Sequence, residues 1–565
     1  MDAHVTLRTP LPPAPPARVE PPPTYTSVRD PTALRQAAAD LAADLAAAAT
    51  PLLGVALAPV SLPSERREAA HDPRRLRPGL LALAADARTF VFDCQYLPDL
   101  SPLAPVLAGP RPPYVVFPDA HFYLTVLARL GLAPPRLGCT RTAALLLAEG
   151  TLARDDELEF HNLVERYLKR PFPARWKQGQ IALFDGREYL DWDRGAVLAH
   201  TAGRATELLR AMTHDHLRPR GMSRAFELEC KLLPAVVAME SAGVAVDGAR
   251  FAAVADGWRR EREATADPER QAQLDKLITS YANWPRDYIE KDGRMRPHLD
   301  PLGTDSGRFA CSRPNLQQVP SEYKAPGLRA CFRAAPGHTL VIADYAQIEL
   351  RVAAHLAPCE ALREVFRAGR DPHRATAATL ARKPEAEVTP HERKLAKAIN
   401  FGFLFGMGAE RFRDYAQTHY DLALDLAAAE RAREAFFSTF PGIAAWHRRV
   451  GAMSPREDNF VRTTLGRRKR FPAGHFSFNA ALNIPVQGTA AEGFKRAMTA
   501  LHPALAELGG RGVLCVHDEY LAEVPETHAE AARTLVQQTM QAAMAEVVPS
   551  VPIAVDSRVA PSWAE

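Results

Sequence analysis

The alternation of apolar and polar positions is sharpest in two segments of the C-terminal half. In TLVIADYAQIELRVAAHL, four apolar residues form a strand signature directly before Asp344, and helical spacing begins at Ile348. In GVLCVHDEYLAEV, two short β-runs are joined by a tight turn at His517 and Asp518, and Glu519 opens the second run. The pattern therefore predicts one carboxylate at a strand end and a second in a hairpin turn.

A third segment, HERKLAKAINFGFLFGMG, has the period of a helix. Basic and then aromatic residues recur every four positions on one face, namely Arg393, Lys397, Phe401 and Phe405. Such a face can place two positive charges on a triphosphate and stack rings near the base and sugar. The alternative is a charged first turn followed by core aromatic residues, which is common in helices without catalytic function.

The remaining pattern divides the chain. Residues 1–30 contain LPPAPPARVEPPP and predict a disordered or extended tail, because proline removes N–H donors and fixes φ. Residues 31–215 mix Ala/Leu-rich helical stretches with short apolar runs, which is typical of an α/β domain. After Met222, one helix is predicted to end at Gly243 and a second, charged helix to continue to about residue 280.

Length and composition limit the classes of protein. A chain of 565 residues is expected to form two to four domains. Because 70 Lys and Arg stand against 66 Asp and Glu, binding of nucleic acid would need local clusters of charge. The seven cysteines show no zinc-finger spacing. No apolar run is long enough to span a membrane, so we expect a cytoplasmic protein in a bacterial cell or phage-infected host.

The two carboxylates indicate phosphoryl transfer. This chemistry uses carboxylates that hold two Mg²⁺ ions, one activating the attacking hydroxyl and one holding the triphosphate. Asp344 and Asp518 are the predicted pair. A single Asp at a strand end is usually a turn former or helix cap, so the surrounding motifs must support the assignment.

Those motifs resemble a known family. DYAQIELR, RKLAKAINFGFLFG and VHDE have the order and approximate spacing of motifs A, B and C of family A DNA polymerases, and the similarity includes TDSGRFACSRPNLQQVP, GRDPH, LGRRKRFP and LNIPVQGTAAEG. It covers about residues 225–565. The resemblance implies an α+β multidomain fold, in which a right-hand polymerase with palm, fingers and short thumb follows an α/β ribonuclease H-like exonuclease-type domain.

The resemblance also implies domain boundaries. They are a Pro-rich tail (1–30), a degenerate 3′–5′ exonuclease-like domain (31–215), a shortened thumb with the start of the palm (216–300), palm with motif A (301–360), fingers with motif B (361–480) and palm with motif C (481–565). Because fewer residues separate AGVAVD from DSGR than is common in the family, we expect short-lived DNA binding. We expect no 5′-nuclease domain ahead of the exonuclease-like region.

The family roles transfer to matching positions. Asp344, Asp518 and the carbonyl of Tyr345 would bind metal, Lys397 would serve as an acid, and Glu519 would support the primer terminus. The implied nucleotide-binding set is Glu349, which excludes a ribose 2′-hydroxyl, with His373, Arg393, Lys397, Phe401 and Phe405. The implied DNA-binding set is Arg308, Asn315, Gln317, Asn483, Gln487 and His517. The basic run at 467–470 fits either phosphate contact in the fingers or an exposed, solvated loop.

The chain departs from the family pattern at several positions. Phe405 replaces the usual Tyr, so a hydroxyl that could bond Glu349 is missing and sugar discrimination is expected to weaken. Phe401 predicts poor use of dideoxy chain terminators. The exonuclease carboxylates are replaced by Ala56, Ala58, Tyr123 and Arg204. A two-metal hydrolytic site then lacks its ligands, and we expect no proofreading.

The sequence therefore predicts template-directed DNA synthesis from dNTPs on a primer–template. Two Mg²⁺ ions are the expected cofactors, with Mn²⁺ as a substitute, and we expect a monomer that does not bind membranes and works with a replication or repair accessory protein. Three alternatives are a single-subunit RNA polymerase, a nuclease and a non-enzymatic DNA-binding scaffold. Glu349 disfavours the RNA polymerase. The missing carboxylate cluster in residues 31–215 disfavours the nuclease, and the intact motifs disfavour the non-enzymatic scaffold.

Overall fold

The computed structural model describes residues 24–60, 73–151, 155–171 and 194–564, and the chain divides into two units. The first comprises residues 1–147 and 152–219, and the second residues 148–151 and 220–565. Within the described ranges, none of the helices combines the length and the apolar character that crossing a membrane requires.

The first unit is a mixed sheet with helices packed against it. Its strands are β1 (Thr26–Val28), β2 (Leu52–Val60), β3 (Arg77–Ala84), β4 (Thr89–Asp93), β5 (Tyr114–Phe117) and β6 (Leu137–Cys139). Its helices are α1 (Pro31–Ala47), α2 (Ala104–Ala108), α3 (Ala120–Leu127), α4 (Thr140–Leu147), α5 (Phe160–Leu168) and α6 (Arg194–Ala211). The strand order is β1-β4-β3-β2-β5-β6, with β2, β3 and β4 antiparallel and the other pairs parallel. The α/β layering predicted from the sequence is confirmed.

Strand β2 is the centre of this unit. Helix α6 lies so close to it that a Cβ atom on Gly54 would fall 1.9 Å from the carbonyl oxygen of Ala202. Only glycine permits that approach.

The predicted tail ends earlier than expected. Residues 1–23 lie outside the described residues, but Thr26–Val28 pairs in parallel with β4. This segment lies between Pro23 and Pro31, so it retains its backbone donors and contains the β-branched residues that favour strands. Asp30 then caps α1 by accepting the N–H groups of Thr32 and Ala33.

The second unit contains the remaining elements. Its helices are α7 (Ser223–Ala242), α8 (Gly248–Ala264), α9 (Pro268–Tyr281), α10 (Trp284–Tyr288), α11 (Ile348–Leu356), α12 (Glu360–Arg367), α13 (Pro372–Ala381), α14 (Pro390–Leu404), α15 (Ala409–Tyr420), α16 (Leu426–Thr439), α17 (Pro441–Gly451), α18 (Phe478–Glu507) and α19 (Ala529–Ala545). Its strands are β7 (Val244–Val246), β8 (Arg294–Met295), β9 (His298–Asp300), β10 (Ala310–Ser312), β11 (Phe332–Arg333), β12 (His338–Tyr345), β13 (Asn459–Arg462), β14 (Arg468–Phe471), β15 (Arg511–Val516), β16 (Glu519–Pro525) and β17 (Val555–Ala560).

An antiparallel sheet of order β15-β16-β12-β17 forms the centre of the second unit. The apolar run Leu340–Ala343 of β12 is buried in it, as the strand signature predicts. Helices α7, α18 and α19 pack against these strands. Helices α12 to α17 follow β12 and α11 in the chain and share the same hydrophobic core.

The charged segment predicted as one helix to about residue 280 forms two. Helix α8 ends at Ala264, and Asp267 caps α9 by accepting the N–H of Glu269. Pro268 starts the second helix, because it lacks an N–H and fits the first helical turn. The first of the predicted helices does end at Gly243, which has a φ of 60°.

The basic run at 467–470 forms part of β14 and not an exposed, solvated loop, and its side chains are paired inside the second unit. Contact with phosphate stays a prediction. The partners are the Thr304 carbonyl for Arg467, Glu149 for Arg468, Asp305 for Lys469 and Asp458 for Arg470. Arg467 is only 8% exposed. Glu149 and Asp305 lie far away in sequence, so local charge density could not reveal the pairing of Arg468 and Lys469.

A buried carboxylate links the central sheet to neighbouring segments. Glu523 on β16 is 1% exposed and accepts from Arg294, whose Nη2 lies 2.9 Å away. The same guanidinium donates to the carbonyl of Gly243 at 2.8 Å, and Arg511 donates to Glu523 from the solvent side. Charge and hydrogen bonds are thereby satisfied where water is excluded.

We predict that Arg294→Met lowers the free energy of unfolding by about 3 kcal/mol, because Glu523 would stay buried with one cation fewer. Chemical denaturation measures the loss. Arg511→Met is the matched control, since its guanidinium bonds the same carboxylate but is half-exposed, and it should cost less than about 1 kcal/mol. Equal losses in the two variants would contradict this assignment.

Candidate active site

Three antiparallel strands bring acidic residues together at one edge of the central sheet. Asp344, near the end of β12, pairs with Glu519 on β16 and with Asp556 on β17. Asp518 precedes Glu519 in the β15–β16 turn, where His517 has a φ of 58°. The predicted strand end and hairpin turn are confirmed. The register sets Asp344 opposite Glu519 and Asp556, and Asp518 in the turn is close enough for its charge to act on Asp344.

Crowding changes the protonation of this acidic cluster. The Asp344 side chain reaches the surface, but desolvation by the surrounding protein and the charges of Asp518 and Glu519 raise the pKa of Asp344 to about 7. Desolvation also raises the pKa of Asp518 to about 6, although the positive charge of Arg308 opposes the rise. Closely spaced carboxylates with raised pKa values are oxygen donors that suit a hard divalent cation.

Two neighbouring side chains are held by hydrogen bonds. Glu519 Oε2 accepts from the Trp563 indole N–H at 3.0 Å. Tyr345 is buried, and its hydroxyl donates to the Met540 carbonyl at 2.7 Å, which fixes the backbone at the end of β12.

Glu349 lies in the first turn of α11, directly after the acidic edge. Its Oε1 accepts from Nη2 of Arg308 at 2.6 Å. Among the described residues, Glu349 accepts its side-chain hydrogen bond from Arg308. Phe405 has no hydroxyl that could donate another. The anchoring of Glu349 by an arginine was not predicted from the sequence.

Helix α14 begins at a capping box, in which Thr389 and Glu392 bond each other's backbone N–H. Along the predicted stripe, Arg393 is half-buried, Lys397 is exposed and Phe401 is half-buried. The core is filled instead by neighbouring residues such as Phe403. Phe405 is also half-buried and packs against the hydrophobic core, so the nucleotide-facing role of the stripe stays a prediction. Phe405 lies just beyond the helix, which ends at Leu404.

Arg393 and His373 share a carboxylate. Asp371 caps α13, its Oδ1 accepting the His373 N–H at 2.9 Å and its Oδ2 accepting from Arg393 Nε at 2.6 Å. His373 is 2% exposed, and its ring centroid lies 6.0 Å from that of Phe401. Three residues of the predicted nucleotide set, His373, Arg393 and Phe401, are thus neighbours, although α13 and α14 are separate in sequence.

The predicted DNA-binding residues are spread over four places in the second unit, and Arg308 lies in the loop before β10. Asn315 caps a short turn by accepting the N–H of Gln317 at 3.2 Å, and His517 is exposed in the β15–β16 turn. Asn483 and Gln487 are half-buried on α18, four residues apart and thus on one helix face. Oδ1 of Asn483 is buried and has no hydrogen-bond partner among the described residues, and such a group is stable only if a ligand or water meets it.

The predicted degenerate positions lie in the first unit. Ala56 and Ala58 are buried on β2. Tyr123 on α3 is 3% exposed, and its hydroxyl is hydrogen bonded to the backbone of Leu57, between the two alanines. Arg204 pairs with Glu207 at 2.5 Å. An aromatic ring therefore fills the space beside β2.

A cavity of about 240 Å³ adjoins this ring. It is lined by Leu57, Pro118, Asp119, Phe122, Tyr123, Arg141, Leu158, Glu159, Phe160, Leu198 and Thr201. Two carboxylates face it, and the Nε atom of Arg141 lies 3.8 Å from the carboxylate of Asp119.

Sequence reasoning missed Asp556, Asp371 and Asn400. Asp556 follows an apolar run near the C-terminus, and only pairing with β12 brings it to the acidic edge. Asp371 stands in the GRDPH motif that was noted for its histidine, and Asn400 stands inside the motif B segment. A polar residue at a predicted buried helix position was the available signal for Asn400.

Comparison with solved structures identifies the fold. The POL domain of Pol1 from M. smegmatis, in complex with DNA primer-template and dNTP, is similar with a TM-score of 0.76 over 95% of this chain and 99% of that chain. The sequences are 23% identical, so this likeness shows the fold alone. The predicted right-hand polymerase fold is confirmed.

Sequence comparison then identifies the family. Residues 261–565 match the model for DNA polymerase family A, and the chain belongs to this family. It is 38% identical over 303 residues to the thermostable DNA polymerase I of Thermus filiformis, covering 52% of this chain and 35% of that protein. It is 36% identical over 277 residues to DNA polymerase I of Aquifex aeolicus, covering 48% and 46% respectively. The chain thus spans between a third and a half of these relatives.

We predict that the metal-free protein loses stability as rising pH removes the proton from Asp344 in the acidic cluster. The unfolded Asp344 releases its proton near pH 4, whereas the folded one holds it to about pH 7, so stability falls between these values and levels off above them. The thermal midpoint of Asp344→Asn should therefore exceed that of the wild type by more at pH 8 than at pH 5. Added Mg²⁺ should raise the midpoint of the wild type more than that of the variant.

Calorimetry at both pH values tests this prediction. Asp414→Asn, which alters an exposed carboxylate on α15, is the control and should leave the pH dependence unchanged. A pH dependence that is the same in Asp344→Asn and the wild type would contradict the prediction.

Proposed function

We propose that this chain is a template-directed DNA polymerase that transfers nucleotides from dNTPs to a primer 3′-hydroxyl with two divalent metal ions. The observation that supports this most strongly is the convergence of Asp344 and Asp518 at one sheet edge, with Glu519 and Asp556 beside them. Family membership points to the same chemistry.

In this proposal, Asp344, Asp518 and the carbonyl of Tyr345 would hold the metal ions. The ions would supply a lowered pKa of the attacking hydroxyl and neutralisation of phosphate charge. Mg²⁺ is the expected ion, because the donors are hard oxygens. Glu519 supports the primer terminus. Lys397, exposed on α14, protonates the pyrophosphate leaving group.

The nucleotide would lie along α14. Arg393 and Lys397 meet the triphosphate, His373 donates a hydrogen bond to it, and Phe401 and Phe405 line the base and sugar pocket. The aromatic residues are half-buried, so part of each ring remains accessible to a ligand. Closure of this helical region over the nucleotide would exclude water and couple base-pair fit to chemistry.

DNA contacts are proposed for Arg308, Asn315, Gln317, Asn483, Gln487 and His517. The unpaired, buried Oδ1 of Asn483 is the strongest support among them, because a ligand would satisfy it. The helix pair α8 and α9 would form a short thumb, and a smaller clamp releases fewer counterions on binding, which favours low processivity. An accessory protein and a monomeric state remain predictions.

We propose that the first unit does not proofread. Ala56 and Ala58 supply no metal ligands, and the ring of Tyr123 fills the space beside them. The adjoining cavity is lined by two carboxylates, those of Asp119 and Glu159. A two-metal hydrolytic site needs more carboxylate ligands than these two.

Primer extension tests the proposed activity. The wild type should extend a labelled primer–template with dNTPs and Mg²⁺, while Asp518→Asn should be slower by at least about a thousandfold, since a metal ligand is lost. Asp414→Asn is the control and should remain active. A mismatched 3′ end incubated without nucleotides should stay intact. Shortening of the primer would overturn the loss of proofreading, and an active Asp518→Asn variant would overturn the metal assignment.

Sugar selection makes a separate prediction. Glu349→Ala should lower the preference for dNTPs over rNTPs by about tenfold or more, because the group that meets the 2′-hydroxyl is removed. Phe405→Tyr should raise that preference above the wild type, since it supplies a hydroxyl near Glu349. The ratio of kcat/KM values for dATP and ATP measures both. Glu364→Ala, an exposed carboxylate on α12, is the control. An unchanged ratio in Glu349→Ala would contradict the assignment.

A further inference from the structure

Buried hydrogen bonds between α13 and α14 hold the ring of His373 in place. Asn400 Nδ2 lies 3.2 Å from the carbonyl oxygen of Pro372 and 3.0 Å from His373 Nδ1. Asn400 Oδ1 accepts from the Thr376 hydroxyl at 2.7 Å. His373, Thr376 and Asn400 are each 2% exposed or less. Water therefore does not compete for these contacts.

The carbonyl of Pro372 determines how the Asn400 amide is oriented. A carbonyl oxygen only accepts hydrogen bonds, so the amide group that faces it must be the NH₂ group. The reverse orientation would set two oxygens against each other at 3.2 Å. The same NH₂ group faces His373 Nδ1, which must then act as the acceptor. In a neutral ring, the proton is therefore on Nε2.

The charges around His373 favour the neutral ring. Burial and the cations Arg393 and Lys397 on α14 together lower the pKa of His373 to about 4, although the carboxylate of Asp371 at the start of α13 opposes them. A proton on Nδ1 would also face the NH₂ group of Asn400, donor against donor. Phe401, the aromatic neighbour on α14, carries no charge. His373 is thus uncharged at neutral pH.

We propose that Asn400 is a positioning residue that holds His373 as the Nε2–H tautomer, so that a neutral imidazole donates a hydrogen bond to the triphosphate. This inference rests on the proposed function for the role of Nε2–H. Asp371 also helps to position His373, because its carboxylate accepts hydrogen bonds from the His373 backbone N–H and from Nε of Arg393. Binding of the phosphates through His373 is then independent of pH in the physiological range.

Magnetic resonance of the full chain tests the tautomer without any assay of activity. The protein is labelled with ¹³C,¹⁵N-histidine, and His373→Gln assigns the signal. Nδ1 is recognised because it is bonded to Cγ. We expect an unprotonated Nδ1 and a protonated Nε2 from pH 6 to pH 8. A proton on Nδ1 in this range would overturn the proposal.

Enzyme kinetics test the consequence. Asn400→Leu keeps the number and branching of the side-chain heavy atoms but loses the hydrogen bonds, and it should raise KM for dNTPs about three- to tenfold while kcat changes less. On a His373→Gln background, the same substitution should have no further effect on KM. Thr376→Val, which frees Oδ1 and preserves shape, should act in the same direction. Asn459→Ala, which removes an amide in the β13–β14 hairpin, should leave KM unchanged.

The outcomes separate a positioning role from a structural one. An effect of Asn400→Leu that persists in full without His373, or that falls on kcat alone, would overturn the proposal. A wild type with no polymerase activity would overturn the proposed function, and with it the phosphate contact, while the spectra would still decide the tautomer.

Discussion

The register of β12 with its two neighbours is the constraint on which the candidate active site depends. Because β12 is the inner strand, antiparallel pairing sets Asp344 opposite both Glu519 and Asp556, and the β15–β16 turn adds Asp518. A shift of one residue would turn Asp344 toward the opposite face and bury it. Like charges crowd together there, which costs stability without a cation and creates affinity for one.

The rest of the second unit supports this edge through paired charges. Glu523 is buried in β16 against Arg294, and Lys495 on α18 is buried against Glu229 at 2.5 Å. Each pair joins segments that lie more than 200 positions apart. The acidic cluster is different, since its carboxylates outnumber the nearby Arg308. This excess of negative charge lies where metal chemistry is proposed.

The proposed loss of proofreading concerns the packing around β2 in the first unit. Helix α6 lies close to β2 at Gly54, and three of the four positions at which the family resemblance implies carboxylates hold Ala56, Ala58 and Tyr123, which are buried. The ring of Tyr123 fills the space beside β2, and its hydroxyl is hydrogen bonded to the backbone of Leu57. Under this proposal, packing would replace charge beside β2, and burial would cost less as a result.

The sequence by itself determined the local chemistry. Apolar runs before Asp344 and around Asp518 fixed strands and a turn, because side-chain period and turn residues act over a few positions. The tertiary structure alone decided which distant groups meet. It paired Arg468 and Lys469 with distant acids, added Asp556 to the acidic edge and set Asn400 against His373. Strand register and helix packing create these contacts, and no local pattern encodes a partner that folding brings from far along the chain.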